Sequence, residues 1–160
     1  MKDKKLLAEA TEVLERYLSE HHKRRTPERF ALLEEVFSTA EHFYVDVLCE
    51  SMEIKGYHVS RSTVYANIQL FLDAGLVRRH QFGNQPAQYE RFLPGVTRTH
   101  IHLVCSVCGR VREVRDPSLT SFITDRPYAG FRSASCAVYV YGTCSRCSRL
   151  KNQKTKSTNQ

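Results

Sequence analysis

Residues 90–113 read Glu90-Arg-Phe-Leu-Pro-Gly-Val-Thr-Arg-Thr-His100-Ile-His102-Leu-Val-Cys105-Ser-Val-Cys108-Gly109-Arg-Val-Arg-Glu113, and they concentrate metal-ligand side chains. His100 and His102 are two positions apart, so on a strand both imidazoles project to one side. Cys105-x-x-Cys108 followed by Gly109 is a tight turn in which two thiolates can grip one tetrahedral ion. A second pair, Cys144-x-x-Cys147, lies near the C-terminus. One ion is expected to hold this half of the molecule together, and another, at the histidines, to act as a signal.

With 160 residues the chain can bury one good core or two small ones. No apolar run is long enough to span a bilayer, and the first ten residues mix acids with bases and lack a signal-peptide core. A cytoplasmic location without membrane contact is therefore expected. Thiols stay reduced there, and paired Cys-x-x-Cys motifs are more often metal ligands than disulfides. The net charge of +7 suits a polyanionic partner. Residues 1–94 hold 13 Lys/Arg against 14 Asp/Glu, whereas residues 95–160 hold 11 against 3. A DNA footprint in the first part must therefore come from local clusters: Lys23-Arg24-Arg25 with Arg29, then Arg61, then Arg78-Arg79.

Leu6, Leu7, Ala10, Val13, Leu14, Tyr17 and Leu18 recur at helical spacing, predicting an amphipathic helix over residues 4–20 that packs on a core. Thr26-Pro27 starts a second helix, with Phe30, Leu33, Val36 and Phe37 inward. A third is expected from about Phe43 to Ile54, ended by Gly56. Ser60 caps a fourth, whose stripe is Val64, Ile68, Phe71 and Leu72, and Gly75 stops it. Leu76–Phe82, a Gly83-Asn84 turn and Gln88–Phe92 then form a hairpin, and the whole spells a winged helix-turn-helix. On the fourth helix Arg61, Tyr65 and Gln69 lie away from the stripe, a face that suits the major groove as well as it suits plain solvent. The wing, with Arg25 and Arg29 nearby, favours DNA.

Pro94-Gly95 marks a linker. Beyond it, residues 99–105 and 110–115 form a hairpin closed by the cysteine knuckle. Asp116-Pro117 starts a helix carrying Leu119, Phe122 and Ile123, which Pro127 limits. A strand follows over residues 132–142. The expected fold class is α+β, with a winged-helix domain over residues 1–93, a small dimerisation and metal-binding domain over residues 96–150, and a disordered tail over residues 151–160.

Cys105, Cys108, Cys144 and Cys147 form a four-cysteine structural zinc site in this reading, which would staple a domain too small to be stable without help. The competing reading is a redox-active thiol pair, disfavoured because neither pair opens a helix in a thioredoxin-like context. Cys49 and Cys136 are expected to be small buried fillers. Glu90, His100, His102, Glu113 and His42 together offer imidazole and carboxylate without thiolate, a set suited to Fe2+, Mn2+, Co2+, Ni2+ or Zn2+. Spacing alone does not bring His42 to the others. His21, His22, His58 and His80 are expected at the surface, and no residue is assigned a catalytic role.

Taken together, Ser62-Thr63-Val64-Tyr65, Asp73-Ala74-Gly75-Leu76-Val77-Arg78-Arg79-His80, Tyr89-Glu90, His100-Ile101-His102-Leu103-Val104-Cys105, Cys108-Gly109-Arg110-Val111-Arg112-Glu113 and Tyr141-Gly142-Thr143-Cys144 with Cys147 resemble the ferric uptake regulator (Fur) family of dimeric, metal-responsive repressors. The resemblance spans about residues 23–147. It implies a homodimer that binds a palindromic double-stranded operator, a Zn2+ held by the four cysteines, and a regulatory metal site on His42, Glu90, His100, His102 and Glu113. The DNA contacts expected are Arg25, Arg29, Arg61, Thr63, Tyr65 and Gln69. A further site found in many members looks absent, because Thr99, Ile101, Thr120 and Cys136 stand at its positions. Ala66 replaces a frequent arginine on the recognition helix, and residues 1–20 match the family poorly. Glu90 in place of cysteine argues against the zinc-sensing branch, and Glu113 in place of aspartate against the peroxide-sensing branch. That leaves Fe2+ as the regulatory ion, with Mn2+ as the alternative and Zn2+ able to occupy the site in vitro. Two rivals stay open: a DNA-binding dimer with a vestigial second site, and a thiol redox protein.

Overall fold

The computed structural model describes residues 2–39, 42–81, 86–93, 100–130 and 136–150. The Gly83-Asn84 turn, the Pro94-Gly95 linker, the start of the expected strand over 132–142 and the tail over 151–160 lie outside those residues. The chain divides into two compact units, one that includes both strands of the first hairpin and the other formed by the residues beyond it. Among the described residues, no helix is long and apolar enough to cross a membrane.

The first unit contains α1 (Lys2–Glu20), α2 (Pro27–Ser38), α3 (Val45–Ile54), α4 (Arg61–Asp73), β1 (Val77–His80) and β2 (Gln88–Arg91). α1 buries Ala10, Leu14 and Leu18, one per turn, in the same core as Leu32, Leu33 and Val36 of α2 and Phe71 of α4. Each fully buried leucine contributes about 1.5–3 kcal/mol, so this helix is part of the domain's foundation. Local chemistry sets the helix starts. Thr26 Oγ1 accepts from Arg29 N, with Pro27 at the first helical position, and Ser60 Oγ accepts from Thr63 N at 3.2 Å. Such a cap typically contributes about 1 kcal/mol. α4 ends where Gly75 takes φ +70°, with Gly75 N donating to Leu72 O and Leu76 N to Phe71 O. That left-handed stop turns the chain directly into β1.

β1 and β2 pair antiparallel, with Arg78 opposite Glu90 and His80 opposite Gln88. α3 starts two residues later than the sequence predicts, because Phe43 is taken by the hairpin. It exchanges backbone hydrogen bonds with Tyr89, 2.8 and 2.9 Å long.

The second unit contains β3 (Ile101–Cys105), β4 (Val111–Val114), α5 (Pro117–Thr124) and β5 (Val138–Gly142), with strand order β4-β3-β5. β3 pairs antiparallel with β4 and parallel with β5. Asp116 caps α5 through Leu119 N at 3.0 Å. None of the residues of α5 is buried, and Phe122 is 66% exposed.

Candidate metal centres

In the second unit the β3–β4 turn forms the first cysteine knuckle. Gly109 takes φ +71° and donates to Cys105 O, while Cys105 N donates to Arg110 O, so the turn closes on itself. The second knuckle follows β5, where residues 145–150 form a short helical stretch directly after Cys144. One sulfur from each of Cys105, Cys108, Cys144 and Cys147 lies within 4.8 Å of the other three. Cys108 Sγ and Cys144 Sγ are 3.8 Å apart. Two thiolates at about 2.3 Å from a tetrahedral ion are about 3.8 Å apart, so the donor set fits zinc in both chemistry and spacing.

The electrostatics already favour thiolate at one position in each knuckle. Cys144 N donates to Cys105 Sγ at 3.3 Å. That bond, with further backbone N–H groups of Cys108 and Val107, brings the Cys105 thiol down to about 6. The Cys147 backbone N–H lowers the Cys144 thiol in the same way. Cys147 is pushed up to about 12, chiefly by its sulfur contacts with Cys108 and Cys144. Metal binding must therefore expel a proton from Cys147.

Two cysteine expectations are corrected. Cys144 does stand at the start of a helical stretch, because the chain leaving the edge strand β5 turns straight into it. Cys49 and Cys136 are only partly buried: Cys49 lies at the margin of the α3 core face, and Cys136 precedes β5 rather than lying within it.

The imidazole and carboxylate ligands fall into two groups. In the first unit the Phe43–Tyr89 bridge sets His42 beside Glu90, the directly opposite position one step along an antiparallel pairing. His42 Nε2 is 3.5 Å from Glu90 Oε2, and both side chains are 8% exposed. In the second unit His102 sits on the central strand between Glu113 of β4 and Tyr139 of β5. Its ring stacks on Tyr139 with centroids 5.2 Å apart. His100 Nε2 is 3.0 Å from His102 Nε2 and 3.6 Å from Glu113 Oε1. Donors bound about 2.1 Å from one ion are about 3.0–3.4 Å apart, so the His100–His102 separation falls within that range and the two imidazole–carboxylate separations lie just above it.

His80, expected at the surface, is buried at 2% exposure. The pleat explains it: Arg78, His80, Gln88 and Glu90 share one face of the hairpin, and His80 Nε2 lies 3.1 Å from Glu90 Oε1. Counting two residues along the wing strand from the position opposite Glu90 would have found it.

On α4, Arg61, Thr63, Tyr65 and Gln69 are all exposed, with the Tyr65 ring 47% open to solvent. Arg61 pairs with Asp46, Gln69 Nε2 donates to Asp73 Oδ1 at 2.8 Å, and Arg25 pairs with Glu15 at 2.5 Å. Exposed pairs contribute at most about 1 kcal/mol, so a phosphate can displace them. Arg29 is different. Its Nε donates to Asn67 Oδ1 at 2.7 Å, and Asn67 Nδ2 donates to Thr63 O at 2.9 Å. Asn67 is buried within the apolar stripe, and a polar residue spaced with Val64, Ile68 and Phe71 was the missed signal. Asn67→Ala takes away the acceptor of the Arg29 Nε–H, and is expected to cost about 1–3 kcal/mol in urea unfolding.

Compared with known proteins, residues 20–141 match the Ferric uptake regulator family. The chain belongs to that family. The peroxide operon regulator of Bacillus subtilis (strain 168) is 30% identical over 136 residues, covering 84% of this chain and 91% of that protein. Among solved structures, the ferric uptake regulator from Pseudomonas aeruginosa with manganese is 25% identical with a TM-score of 0.68, covering 80% of this chain and 95% of that one. That from Vibrio cholerae is 27% identical with a TM-score of 0.58, covering 79% and 96%. The ferric uptake regulator family chain described here is thus a metal-responsive transcription regulator with an α+β fold. Its curated relatives are regulators and repressors rather than enzymes.

Proposed function

We propose that the protein is a homodimeric repressor in which His42, Glu90, His100, His102 and Glu113 hold one regulatory Fe2+ or Mn2+, while Cys105, Cys108, Cys144 and Cys147 hold a permanent Zn2+. The carrying observation is the pair of thiol-free groups: each gathers imidazole and carboxylate within 3.0–3.6 Å, and each is anchored on strands by Glu90 of β2 or by His102 and Glu113 of β3 and β4. Harder nitrogen and oxygen donors suit an exchangeable ion, and the thiolate quartet suits a retained one. When bound, the regulatory ion supplies a positive centre shared by donors of both units. Donors so gathered restrict the spacing of the two α4 helices in a dimer, which must match half-sites about one duplex turn, or a multiple, apart. Arg25, Arg29, Arg61, Thr63, Tyr65 and Gln69 are the proposed DNA contacts, with Arg29 also serving as a brace.

A second copy is supported by the sheet. β5 is an edge strand, and Val140 and Tyr141 on it are 47% and 56% exposed, with Phe122 of α5 also open. Unpaired edges with exposed apolar residues are a template for pairing. The regulatory donor set cannot favour iron by affinity alone, because zinc binds more tightly at most nitrogen and oxygen sites; cellular availability must decide.

The test is a fluorescence-anisotropy titration on a duplex selected from a random pool by Mn2+-loaded protein. Mn2+ is expected to tighten binding about 5–150-fold, the usual range of such coupling. Equal affinity with and without Mn2+ would favour a vestigial site. The likeness to the peroxide operon regulator supports a second reading, in which the bound Fe2+ reports peroxide. Release of DNA on adding hydrogen peroxide to the Fe2+ form but not the Mn2+ form would favour it over iron sensing.

A further inference from the structure

The winged-helix unit buries a histidine that the proposed ligand set does not require. His80, on the last position of β1, is 2% exposed, and its Nε2 lies 3.1 Å from Glu90 Oε1. The other carboxylate oxygen, Oε2, is the one turned to His42 Nε2, 3.5 Å away. The two imidazoles meet edge to face, with centroids 5.0 Å apart and planes at 84°. Glu90 therefore lies between the two rings, one oxygen toward each. Burying an imidazole costs free energy unless it is hydrogen-bonded, and an aliphatic side chain would fill this corner of the hairpin without that cost.

We propose that His80 is a positioning residue for the regulatory metal site: it turns Nε2, with its ring proton, toward Glu90 Oε1 and so leaves Oε2 as the single ligand oxygen. This rests on the reading of Glu90 as a regulatory ligand. A glutamate has three rotatable side-chain bonds and can bind an ion through one oxygen or both. Anchoring one oxygen removes most of that freedom before any ion arrives. Outer partners that orient a ligand in this way typically change metal affinity about 10–100-fold.

The experiment uses full-length protein carrying its zinc, with Mn2+ as probe by electron paramagnetic resonance and Co2+ by visible absorption. His80→Leu is expected to weaken Mn2+ binding about 10–100-fold and to shift the Co2+ bands, with zinc content unchanged. His80→Gln, whose amide N–H can reach the same oxygen, should recover most of the affinity. In protein without Mn2+, long-range 1H–15N spectra should show a proton on His80 Nε2. Wild-type Mn2+ affinity in His80→Leu, or an unprotonated Nε2, overturns the proposal. If His80→Leu does not fold, the Gln variant and the spectrum decide, and a Gln variant that folds but binds Mn2+ about 10-fold or more weakly with unchanged Co2+ bands also overturns it. Glu90→Ala separates the two readings. Intact Mn2+ binding in that variant removes Glu90 from the site, whereas lost binding there beside an unaffected His80→Leu removes only the role given to His80.

Discussion

Cys105→Ser is expected to lose its zinc and to unfold the second unit while the winged-helix unit stays folded. The second unit has little else to hold it. Among its described residues few are buried, namely Ile101, His102, Val104, Cys105 and Cys147, and α5 contributes none. Ordering the backbone costs about 1–2 kcal/mol per residue, which so small a core does not offset, whereas a structural zinc supplies about 10–16 kcal/mol of apparent binding free energy at neutral pH. Serine cannot replace the ligand, because its hydroxyl stays protonated where the Cys105 thiol, down to about 6, is already thiolate. The first unit keeps its own core of Leu14, Leu33, Met52 and Phe71. Zinc analysis with hydrogen exchange reads both effects: amides of β3–β5 lose protection and those of α1 and α4 keep it. Stoichiometric zinc with protected β3 amides would refute the structural assignment.

The same thiols give that zinc a pH dependence. Cys105 lies below its ordinary 9.0, so in the metal-free protein it favours folding fully above pH 9, and loses that contribution as pH falls toward about 6. Cys147 is raised to about 12, so it favours folding below pH 9 and loses that contribution as pH climbs toward 12. Zinc must displace the Cys147 proton, so zinc affinity rises with pH through the neutral range.

How much of this could be read in advance depends on how local the cause is. The three capped helix starts at Thr26, Ser60 and Asp116 are set within four residues, and all three occur where the sequence places them. The first cysteine knuckle is equally local, since Cys105-x-x-Cys108-Gly109 encodes its own turn. His42 is the opposite case. Its approach to Glu90 depends on a bridge between Phe43 and Tyr89, residues far apart in sequence, and no periodicity reports such a pairing. His80 was legible in principle, through the strand register, but a histidine beside Arg78 and Arg79 reads as part of a charged surface run. Asn67 was hidden similarly: its amide is satisfied by Arg29, which charge counting had assigned wholly to DNA. The exposure of α5 was not legible: Leu119, Phe122 and Ile123 mark a helix, and none of its residues is buried.

Glu90→Ala and His100→Ala are each expected to abolish the dependence of DNA binding on Mn2+ while leaving a folded, zinc-loaded protein. The expected loss is the whole coupling, about 1–3 kcal/mol or 5–150-fold in affinity, so each variant should bind DNA as the metal-free wild type does at any Mn2+ concentration. The two positions suit the test. His100 precedes β3 and keeps 14% of its side chain exposed, so truncation there disturbs packing less than at the enclosed His102. Glu90 is a buried carboxylate, and removing it also removes a charge that is costly to bury. His102 would be a poorer choice, because it is fully enclosed and stacked on Tyr139, and truncation there would mix a cavity with the loss of a ligand. The double variant is decisive. If one ion is bound by both residues, either substitution alone removes the coupling, and the second adds nothing to it. Two separate sites would instead leave each single variant with part of the Mn2+ response, and the losses would sum. Circular dichroism and zinc content accompany every measurement, and a variant that binds Mn2+ poorly because it is unfolded would place its residue with the cysteines, among the groups that build the fold.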